Sequence, residues 1–510
     1  WWLQVSHTDF WLRLPTALLG TAVIPLTYGL GQRLLGERAG LLAALFCALT
    51  SYQVYYSRYP RSYMLLTLLA VAAALSLYGA LHQRRWRHWA LHGAAVVLAL
   101  YTHPYAFFLL PALWGFALLW SLRNRIRTLV PVARRDPRPD VDPQPPEKRE
   151  DLFSGDTPKF PRQRATALWH SRPGGHEPTD SERTLVPLFV TAGLALSAYL
   201  PWLSVSWAQW GGVSQGADAW IEPVTLDTLK TIYDWLWFKT RLDYNPPVDL
   251  LLRGGRYLFS ALLLATWWWG RRRWETWYTA ALTLVPIALP LTFSIVAVPL
   301  LDPRYLVVAS PFLAVWVGQA VAASGMGVAG LLRGRLPEAG RRFAPPVLTL
   351  LLVLMSLPPL WSLYFDPAFA SPDERAANAW LHERYTEGDL LLHLDYQSYL
   401  PALWYDHQRT AMGLPAPAHS HPAPCTWESL PDAWCDASPY RRTYVNLDLQ
   451  PLAEALKGER HIWLTTLDNH NKPAEAAQAS QRVEQLMAGR YTFRPAAAFL
   501  GVQLFELTAR

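Results

Sequence analysis

Long apolar stretches recur through the first 364 residues of the chain and are separated by short polar connections. A helix needs about 20 mostly apolar residues to cross a bilayer. On that basis ten spans are predicted, at 14–32, 39–57, 62–82, 88–102, 104–122, 185–207, 257–270, 277–300, 305–324 and 345–364. Pro104 interrupts the fourth and fifth of these, so a broken helical hairpin is an alternative there. The pattern predicts an all-α polytopic membrane bundle.

The pattern changes after residue 365 to one that is ordinary for a soluble domain. Ser371 and Glu374 have the spacing of a capping box, with Pro372 in the first turn of an amphipathic helix that runs to about Tyr385. A turn at 387–389 and strands at 390–394, 442–447, 461–467 and 502–507 are predicted next, with helices near 450–457 and 474–488. A small α/β domain is therefore expected over 366–510. It contains no glycine-rich phosphate loop, so no nucleotide site is predicted.

The domain organisation follows from these two patterns. A first membrane part of about five helices covers 1–122, and a second of about five covers 185–365. Between them, the stretch 123–184 is rich in Pro and in charges of both signs, so it is too polar to form a core. It is interpreted as a disordered cytoplasmic linker, either a passive insertion or a loop that binds a partner.

The distribution of basic residues predicts how the chain is oriented in the membrane. Four connections are basic, and strict alternation places them on one side: Arg33 and Arg38; Arg84, Arg85 and Arg87; Arg271, Arg272 and Arg273; Arg333, Arg335, Arg341 and Arg342. Cytoplasmic loops carry such an excess. Residues 1–13, 51–61, 208–248, 301–304 and 366–510 are then extracytoplasmic. Arg253 and Arg256 are exceptions near an outer end, which snorkelling of their side chains would explain.

Overall composition excludes more than it identifies. The net charge of +7 does not indicate a nucleic-acid partner, because the Lys and Arg residues lie mostly between apolar segments. The three cysteines show no spacing of a zinc site. Cys47 lies in an apolar stretch, whereas Cys425 and Cys435 share a loop-like stretch. A disulfide between these two and a pair of free thiols both remain open.

Basic residues on the outer side are the candidates for a binding site. Arg58 and Arg61 lie in the outer loop 55–63, where Pro60 suits the first turn of the next helix. The outer segment 302–305 repeats the arrangement with Arg304, and 101–105 places His103 at the same depth. Helix N-termini carry unpaired N–H groups and positive dipole ends, and arginine pairs well with phosphate oxygens.

These residues therefore indicate a site for a lipid phosphate. A single arginine there is better explained as an anchor at the lipid headgroups, but three of them against the inward bias favour the site. His103 alone is more typical of an interfacial histidine. The many outer tryptophans, among them Trp202 and Trp220, fit either an interfacial belt or the stacking of sugar rings.

Several short motifs in order resemble one family. They are FWLRLP at 10–15, GQRLLGERAGLLAAL at 31–45, YYSRYPRSY at 55–63, LYTH at 100–103, YLPW at 199–202 and PRY at 303–305. Together they resemble bacterial membrane glycosyltransferases of the GT-C fold, related to protein O-mannosyltransferases and to the aminoarabinose transferase of lipid A. The resemblance covers most of the membrane part, and the C-terminal domain is similar only in type.

The resemblance implies a GT-C-like bundle with an extracytoplasmic α/β domain. It implies an enzyme that moves a hexosyl or pentosyl group from a polyprenyl-phosphate donor to an acceptor, which is a protein, a lipid or a polysaccharide. By the same match Arg58, Arg61, Tyr63, Arg304 and Tyr305 would hold the donor phosphate, with His103, Trp202 and Trp220 as further substrate contacts. No cofactor is firmly implied, and a need for a divalent metal is left open.

One departure concerns the catalytic acid. The family's carboxylate lies in the first outer loop, and Asp9 aligns only with the end of that loop. The catalytic Asp is therefore expected to precede Trp1, in a membrane helix and loop missing from an N-terminally truncated chain. Asp302 is a poorer candidate, which is expected to pair with Arg304.

Two other classes of function remain open. A transporter or flippase of a lipid-linked anion would show inverted repeats or charges deep within helices. A non-catalytic membrane scaffold would tolerate replacement of the outer arginines.

Overall fold

The computed structural model describes residues 9–83, 85–129, 182–214, 223–238, 244–331, 338–366, 372–386, 388–393, 442–445, 458–467 and 489–510. It also describes the short pieces 398–399, 401–402, 404–405, 456, 481, 484–485 and 487. Trp220, Ser371, Cys425 and Cys435 lie outside the described residues. So do most of the segment 123–184 and most of the helices predicted near 450–457 and 474–488.

The membrane part is a bundle of helices, most of which are long and apolar. They are α1 (Asp9–Leu35), α2 (Glu37–Leu49), α3 (Ser51–Ser57), α4 (Tyr63–Gln83), α5 (Trp86–Thr102), α6 (Phe116–Leu129), α7 (Glu182–Ser214), α8 (Leu226–Trp237), α9 (Pro246–Gly270), α10 (Trp274–Val296), α11 (Ser310–Leu331) and α12 (Glu338–Phe365). A 3₁₀ helix, Pro104–Leu109, and a π-helical turn, Pro111–Gly115, lead into α6, and a 3₁₀ helix, Pro303–Ala309, leads into α11.

Seven of the described helices are long and apolar enough to cross a membrane, and α2 with α3, bent by 60°, would make an eighth. The chain is therefore a multi-pass membrane protein. Its architecture of an all-α membrane bundle followed by a small α/β domain is confirmed. Both ends of the segment 123–184 are helical, because α6 continues to Leu129 and α7 begins at Glu182.

Glycines allow α1, α2 and α11 to approach closely. A Cβ atom added to Gly40 would lie 2.8 Å from the backbone N of Gln32, and one added to Gly318 would lie 2.4 Å from the carbonyl O of Ala39. Small residues at such contacts bring helix backbones together, which is how membrane helices gain packing without a hydrophobic driving force between them.

α9 differs from the span predicted at 257–270, because it begins earlier, at Pro246. The snorkelling interpretation of Arg256 is wrong. This residue is 4% exposed, and its guanidinium forms an ion pair with Asp234 of α8. Arg253 instead pairs with Asp249 on the exposed side of the same helix, at 2.8 Å.

The C-terminal domain contains α13 (Glu374–Arg384) and a five-stranded sheet. Its strands are β1 (Leu390–His393), β2 (Arg442–Val445), β3 (His461–Leu467), β4 (Tyr491–Phe499) and β5 (Val502–Ala509), in the order β2-β1-β3-β5-β4. β1 pairs in parallel with β2 and β3, whereas β5 pairs antiparallel with β3 and β4. α13 and the sheet pack through Ala377, Leu381, Leu391 and Trp463.

Two predictions for this domain need correction. The N-cap of α13 is Asp373, whose side chain accepts a hydrogen bond from the N–H of Ala376 at 3.0 Å, so the capping box with Ser371 is wrong. β4 was not predicted. It contains Pro495 and a register shift between Pro495 and Ala497, and it lies at the sheet edge, where proline is tolerated.

Candidate functional site at one end of the membrane bundle

The loop between α3 and α4 carries the first two candidate arginines. α3 ends at Ser57, and α4 begins only at Tyr63, where the carbonyl of Ser62 accepts from the N–H of Leu66 at 2.9 Å. The prediction that Pro60 lies in the first turn of the helix is therefore wrong, because Pro60 lies in the loop before it.

The helix start at 303–305 is already capped by an acidic side chain. Oδ1 of Asp302 accepts from the backbone N–H of Arg304 and from its Nε, each at 2.8 Å. The pairing of Asp302 with Arg304 is as predicted. Any phosphate that binds Arg304 would have to share this cation with Asp302 or displace it.

His103 caps the helix start at 104 in the same way. Its Nδ1 accepts from the N–H of Tyr105 at 3.1 Å, so a neutral ring carries its proton on Nε2. Burial lowers the pKa of His103 to about 4, so the imidazole is neutral near pH 7. His103 can therefore offer one N–H donor to a ligand but no positive charge.

Aromatic rings join these helix starts into one cluster. The ring centroids of His103 and Tyr305 are 5.0 Å apart, those of Tyr63 and Tyr305 are 6.0 Å apart, and those of Tyr105 and Tyr305 are 5.5 Å apart. The Arg304 side chain also hydrogen-bonds the Tyr63 hydroxyl. The structure therefore brings together Tyr63, His103, Arg304 and Tyr305 from three separate parts of the sequence.

Arg58 and Arg61 are placed differently from Arg304. The Nη1 of Arg58 donates to the carbonyl O of Leu363 at 3.1 Å, and its guanidinium lies 4.9 Å from the ring centroid of Tyr364. Arg58 thus caps the C-terminal end of α12, where a cation is favoured by the helix dipole. Arg61 lies exposed in the loop.

Trp202 lies on α7, where it is 39% exposed and its ring centroid is 5.9 Å from that of Tyr101. Its described ring contact is therefore with the end of α5 and not with the cluster around Tyr305. A role in sugar stacking stays a prediction for Trp202, and for Trp220 as well.

A second layer of tyrosines supports the cluster and was missed from the sequence. The hydroxyl of Tyr52 donates to the carbonyl of Pro303, and the ring of Tyr52 contacts those of Tyr56 and Trp235 at 5.4 and 6.2 Å. The signal for it is the repeated tyrosine in YQVYYSRYPRSY at 52–63, a segment predicted to cover the end of one span, an outer loop and the start of the next span.

A separate group of charges lies in the C-terminal domain. The Nδ1 of His461 pairs with Asp389 at 2.8 Å, and its Nε2 pairs with Glu506 at 2.9 Å. Desolvation lowers the pKa of His461, but the two carboxylates outweigh it and raise this pKa above its usual value. Within the described ranges no group of three His, Cys, Asp or Glu side chains has the arrangement of a metal site.

Comparisons with known proteins add information on the first membrane part. The sequence model of a family described as dolichyl-phosphate-mannose-protein mannosyltransferase matches residues 3–133. No protein of curated function matches the chain significantly.

Solved structures of low sequence identity are also similar. ArnT from Cupriavidus metallidurans bound to undecaprenyl phosphate is 13% identical, with a TM-score of 0.48 over 98% of this chain and 84% of that chain. An Archaeoglobus fulgidus oligosaccharyltransferase tethered with an acceptor peptide is 14% identical, with a TM-score of 0.45 over 96% of this chain and 62% of that one.

The family match includes the loop 58–62, Tyr63 and His103, but not Arg304 or Tyr305. The resemblance drawn from the short motifs is thereby confirmed for the first membrane part, residues 3–133.

Proposed function

We propose that this chain is a membrane glycosyltransferase that moves a sugar from a polyprenyl-phosphate donor to an acceptor on the extracytoplasmic face. One observation carries the proposal. The part of the chain that matches the mannosyltransferase family contains Tyr63, and this tyrosine hydrogen-bonds Arg304, a cation from outside the match.

The proposed site is suited to a phosphate leaving group. In the transfer, an acceptor hydroxyl oxygen bonds to the anomeric carbon, the bond from that carbon to the phosphate oxygen breaks, and the acceptor's proton passes to a base. Negative charge then grows on the departing polyprenyl phosphate. Arg304 is half-buried, with 38% of its side chain exposed, and a preorganised cation at such a place stabilises that charge.

Each residue of the site receives a role under this proposal. Arg304 and Tyr63 bind the phosphate, and Tyr305 and His103 shape the wall beside it. Arg61, exposed in the loop, meets the phosphate from the aqueous side. Arg58 contributes by fixing the loop to the end of α12. The base stays unassigned.

The transporter alternative predicts charges deep within helices. Arg256 is such a charge, but its guanidinium is bound by Asp234 and by the carbonyl of Leu252, at 3.2 Å from the latter. This pairing gives Arg256 a structural explanation, so the observation does not favour transport.

The test measures consumption of the donor. Full-length protein, including any residues that precede Trp1, is reconstituted in lipid vesicles with a cell-envelope extract as the source of acceptor. Polyprenyl-phosphate sugars radiolabelled in the lipid are added as a panel of donors, and released polyprenyl phosphate is quantified. We expect release by the unaltered chain, and a loss of roughly 10-fold to 100-fold in Arg304→Ala and Arg61→Ala, because each removes a charge-assisted contact worth about 1.5–3 kcal/mol.

Arg272→Ala is the matched control. This arginine is exposed like Arg61 but lies in the connection between α9 and α10, away from the site. Unaltered turnover in both site variants would disprove the phosphate site, and equal losses in all three variants would show a general effect of surface charge.

A further inference from the structure

A buried ion pair joins α8 to α9 outside the site described above. Arg256 is 4% exposed and Asp234 is 7% exposed, and their side chains contact each other directly. Removing two charges from water costs several kcal/mol for each ion, and apolar pairs of similar volume are often as stable or more so. The best-attested use of such a pair is to fix one arrangement of the elements that carry it.

α9 is the fixed partner of the two helices. A Cβ atom added to Gly255 would lie 2.0 Å from the Sδ of Met355 in α12, so the two helices are in close contact beside Arg256. Phe259, one turn further along α9, is fully buried. The guanidinium is also held by its own helix, since Nε donates to the carbonyl O of Leu252 at 3.2 Å.

α8 is the element that the pair positions. Ile232 and Trp237 are buried, whereas Leu226 at its start is 85% exposed, so the helix is covered on one face only. Two other polar contacts fasten it. The hydroxyls of Tyr233 and Ser260 lie 2.9 Å apart, and Thr50 donates to the carbonyl O of Trp237 at 3.2 Å.

The residue next to Asp234 reaches the site. The ring of Trp235 contacts that of Tyr52 at 6.2 Å between centroids, and the Tyr52 hydroxyl donates to the carbonyl of Pro303. Pro303 immediately precedes Arg304. Contacts thus run without a gap from the ion pair, through α8 and Tyr52, to the start of the 3₁₀ helix that carries the proposed phosphate ligand.

We propose that Asp234 and Arg256 are positioning residues, which hold α8 against Tyr52 and thereby fix the orientation of Arg304 for a lipid phosphate. The inference rests on the proposed function for its ligand. Under this inference, the affinity for the donor also depends on one residue of α8 and one of α9 that do not contact the substrate.

The decisive variant replaces the pair by apolar residues, Asp234→Leu with Arg256→Met. This double change removes both charges without leaving one unpaired, so the fold is retained while the directional contact is lost. A second variant exchanges the two charges, Asp234→Arg with Arg256→Asp. The control is Arg253→Gln, which breaks the exposed pair with Asp249 on the same helix.

The first readout is binding of polyprenyl phosphate, which requires no turnover. With the full chain in nanodiscs, we expect the dissociation constant to rise roughly tenfold in the apolar variant and to stay within about threefold in the control. A tenfold change lies in the range found for mutations that act through a connecting element. We expect the charge exchange to restore at least part of the lost affinity.

The second readout is the position of α8 itself. Spin labels are placed at Leu226→Cys and Leu250→Cys, positions 85% and 74% exposed on α8 and α9, after Cys425→Ser and Cys435→Ser. We expect the distance distribution to shift or broaden in the apolar variant and to stay unchanged in the control.

The outcomes separate the two proposals. Unchanged phosphate affinity in a folded apolar variant overturns the positioning role, and so does a chain that fails to bind polyprenyl phosphate at all. Binding that depends on the ion pair, in a full-length protein that releases no polyprenyl phosphate from any donor, supports the positioning role and overturns only the transferase.

Discussion

At the scale of single residues, the three candidate arginines differ in what holds them. Arg304 is bound by Asp302 and Tyr63, Arg58 by the carbonyl end of α12, and Arg61 lies in the solvent-facing loop. Sequence reasoning could predict the pairing of Asp302 with Arg304, because the two are neighbours in a helix start. It could not predict the contact of Arg58 with Leu363, which lies 305 positions away and depends on how α12 packs.

Asp302 is a carboxylate beside the proposed phosphate ligand, and Asp302→Asn separates its two possible roles. The amide oxygen can still accept from the N–H of Arg304, so the cap is kept while the competing charge is removed. We expect transfer to continue, with kcat within about tenfold, and the KM for the donor to fall or stay level, because Arg304 no longer shares its charge.

Steady-state kinetics with donor varied at fixed acceptor measure both constants. Asp249→Asn is the control, because this half-buried carboxylate of α9 pairs with Arg253. A loss of kcat by about a thousandfold or more at unchanged KM would instead identify Asp302 as the general base of the reaction.

At the scale of elements, the apolar helices were predictable, since each is a long hydrophobic stretch. The start of α9 was not, because Asp249, Arg253 and Arg256 interrupt its hydropathy, and only the partner on α8 explains how a charge is buried there. α8 itself is too short and too polar to be recognised as part of a membrane bundle. β4 was missed because a proline and three alanines follow its first residues, a composition that disfavours a central strand and is tolerated at an edge.

Packing of α11 on α2 depends on Gly318, so Gly318→Ala tests the close approach of the two helices. The added methyl group would lie 2.4 Å from the carbonyl O of Ala39 and 2.9 Å from the backbone N of Ala43. Backbone atoms cannot rotate away as a side chain can. We therefore expect a loss of about 1–3 kcal/mol in the free energy of unfolding, measured as a lower melting temperature of the purified chain in detergent.

Gly254→Ala is the matched control, because a Cβ atom there meets nothing within 4 Å. Alanine also has the better helix propensity, by about 1 kcal/mol, so the melting temperature should stay level or rise. A melting temperature of Gly318→Ala equal to that of the control would contradict the close packing.

At the scale of the whole molecule, two separate groups of aromatic contacts lie at described connections of the bundle. The cluster of Tyr63, His103 and Tyr305 is one group. In the other, the ring of Trp274, which follows Arg273, stacks on Tyr78 at 5.8 Å and contacts Trp120 at 4.6 Å. Among the described connections, those of Arg33 and of Arg271–Arg273 meet here, since the Tyr78 hydroxyl donates to the carbonyl O of Arg33. Their meeting agrees with the alternation inferred from charge.

This agreement leads to a prediction about which side of the membrane each connection faces, whatever the function of the chain. Single cysteines are introduced at the exposed positions Arg61, Arg272 and Arg510, after Cys425→Ser and Cys435→Ser, while Cys47 is buried and is left in place. Intact cells are treated with a membrane-impermeant maleimide, with and without permeabilisation. We expect Arg61→Cys and Arg510→Cys to be labelled in intact cells and Arg272→Cys only after permeabilisation, because the positive-inside rule places the Arg271–Arg273 connection in the cytoplasm.

The three positions report on different parts of the chain. Labelling of Arg272→Cys alone in intact cells would reverse the orientation and place the proposed phosphate site on the cytoplasmic face. Labelling of Arg61→Cys without Arg510→Cys would keep the site outside but would contradict the alternation through α12, which carries the chain from the basic end of the bundle to the C-terminal domain. Only joint labelling of the site and the C-terminus allows the α/β domain to meet an acceptor on the same face as the donor phosphate.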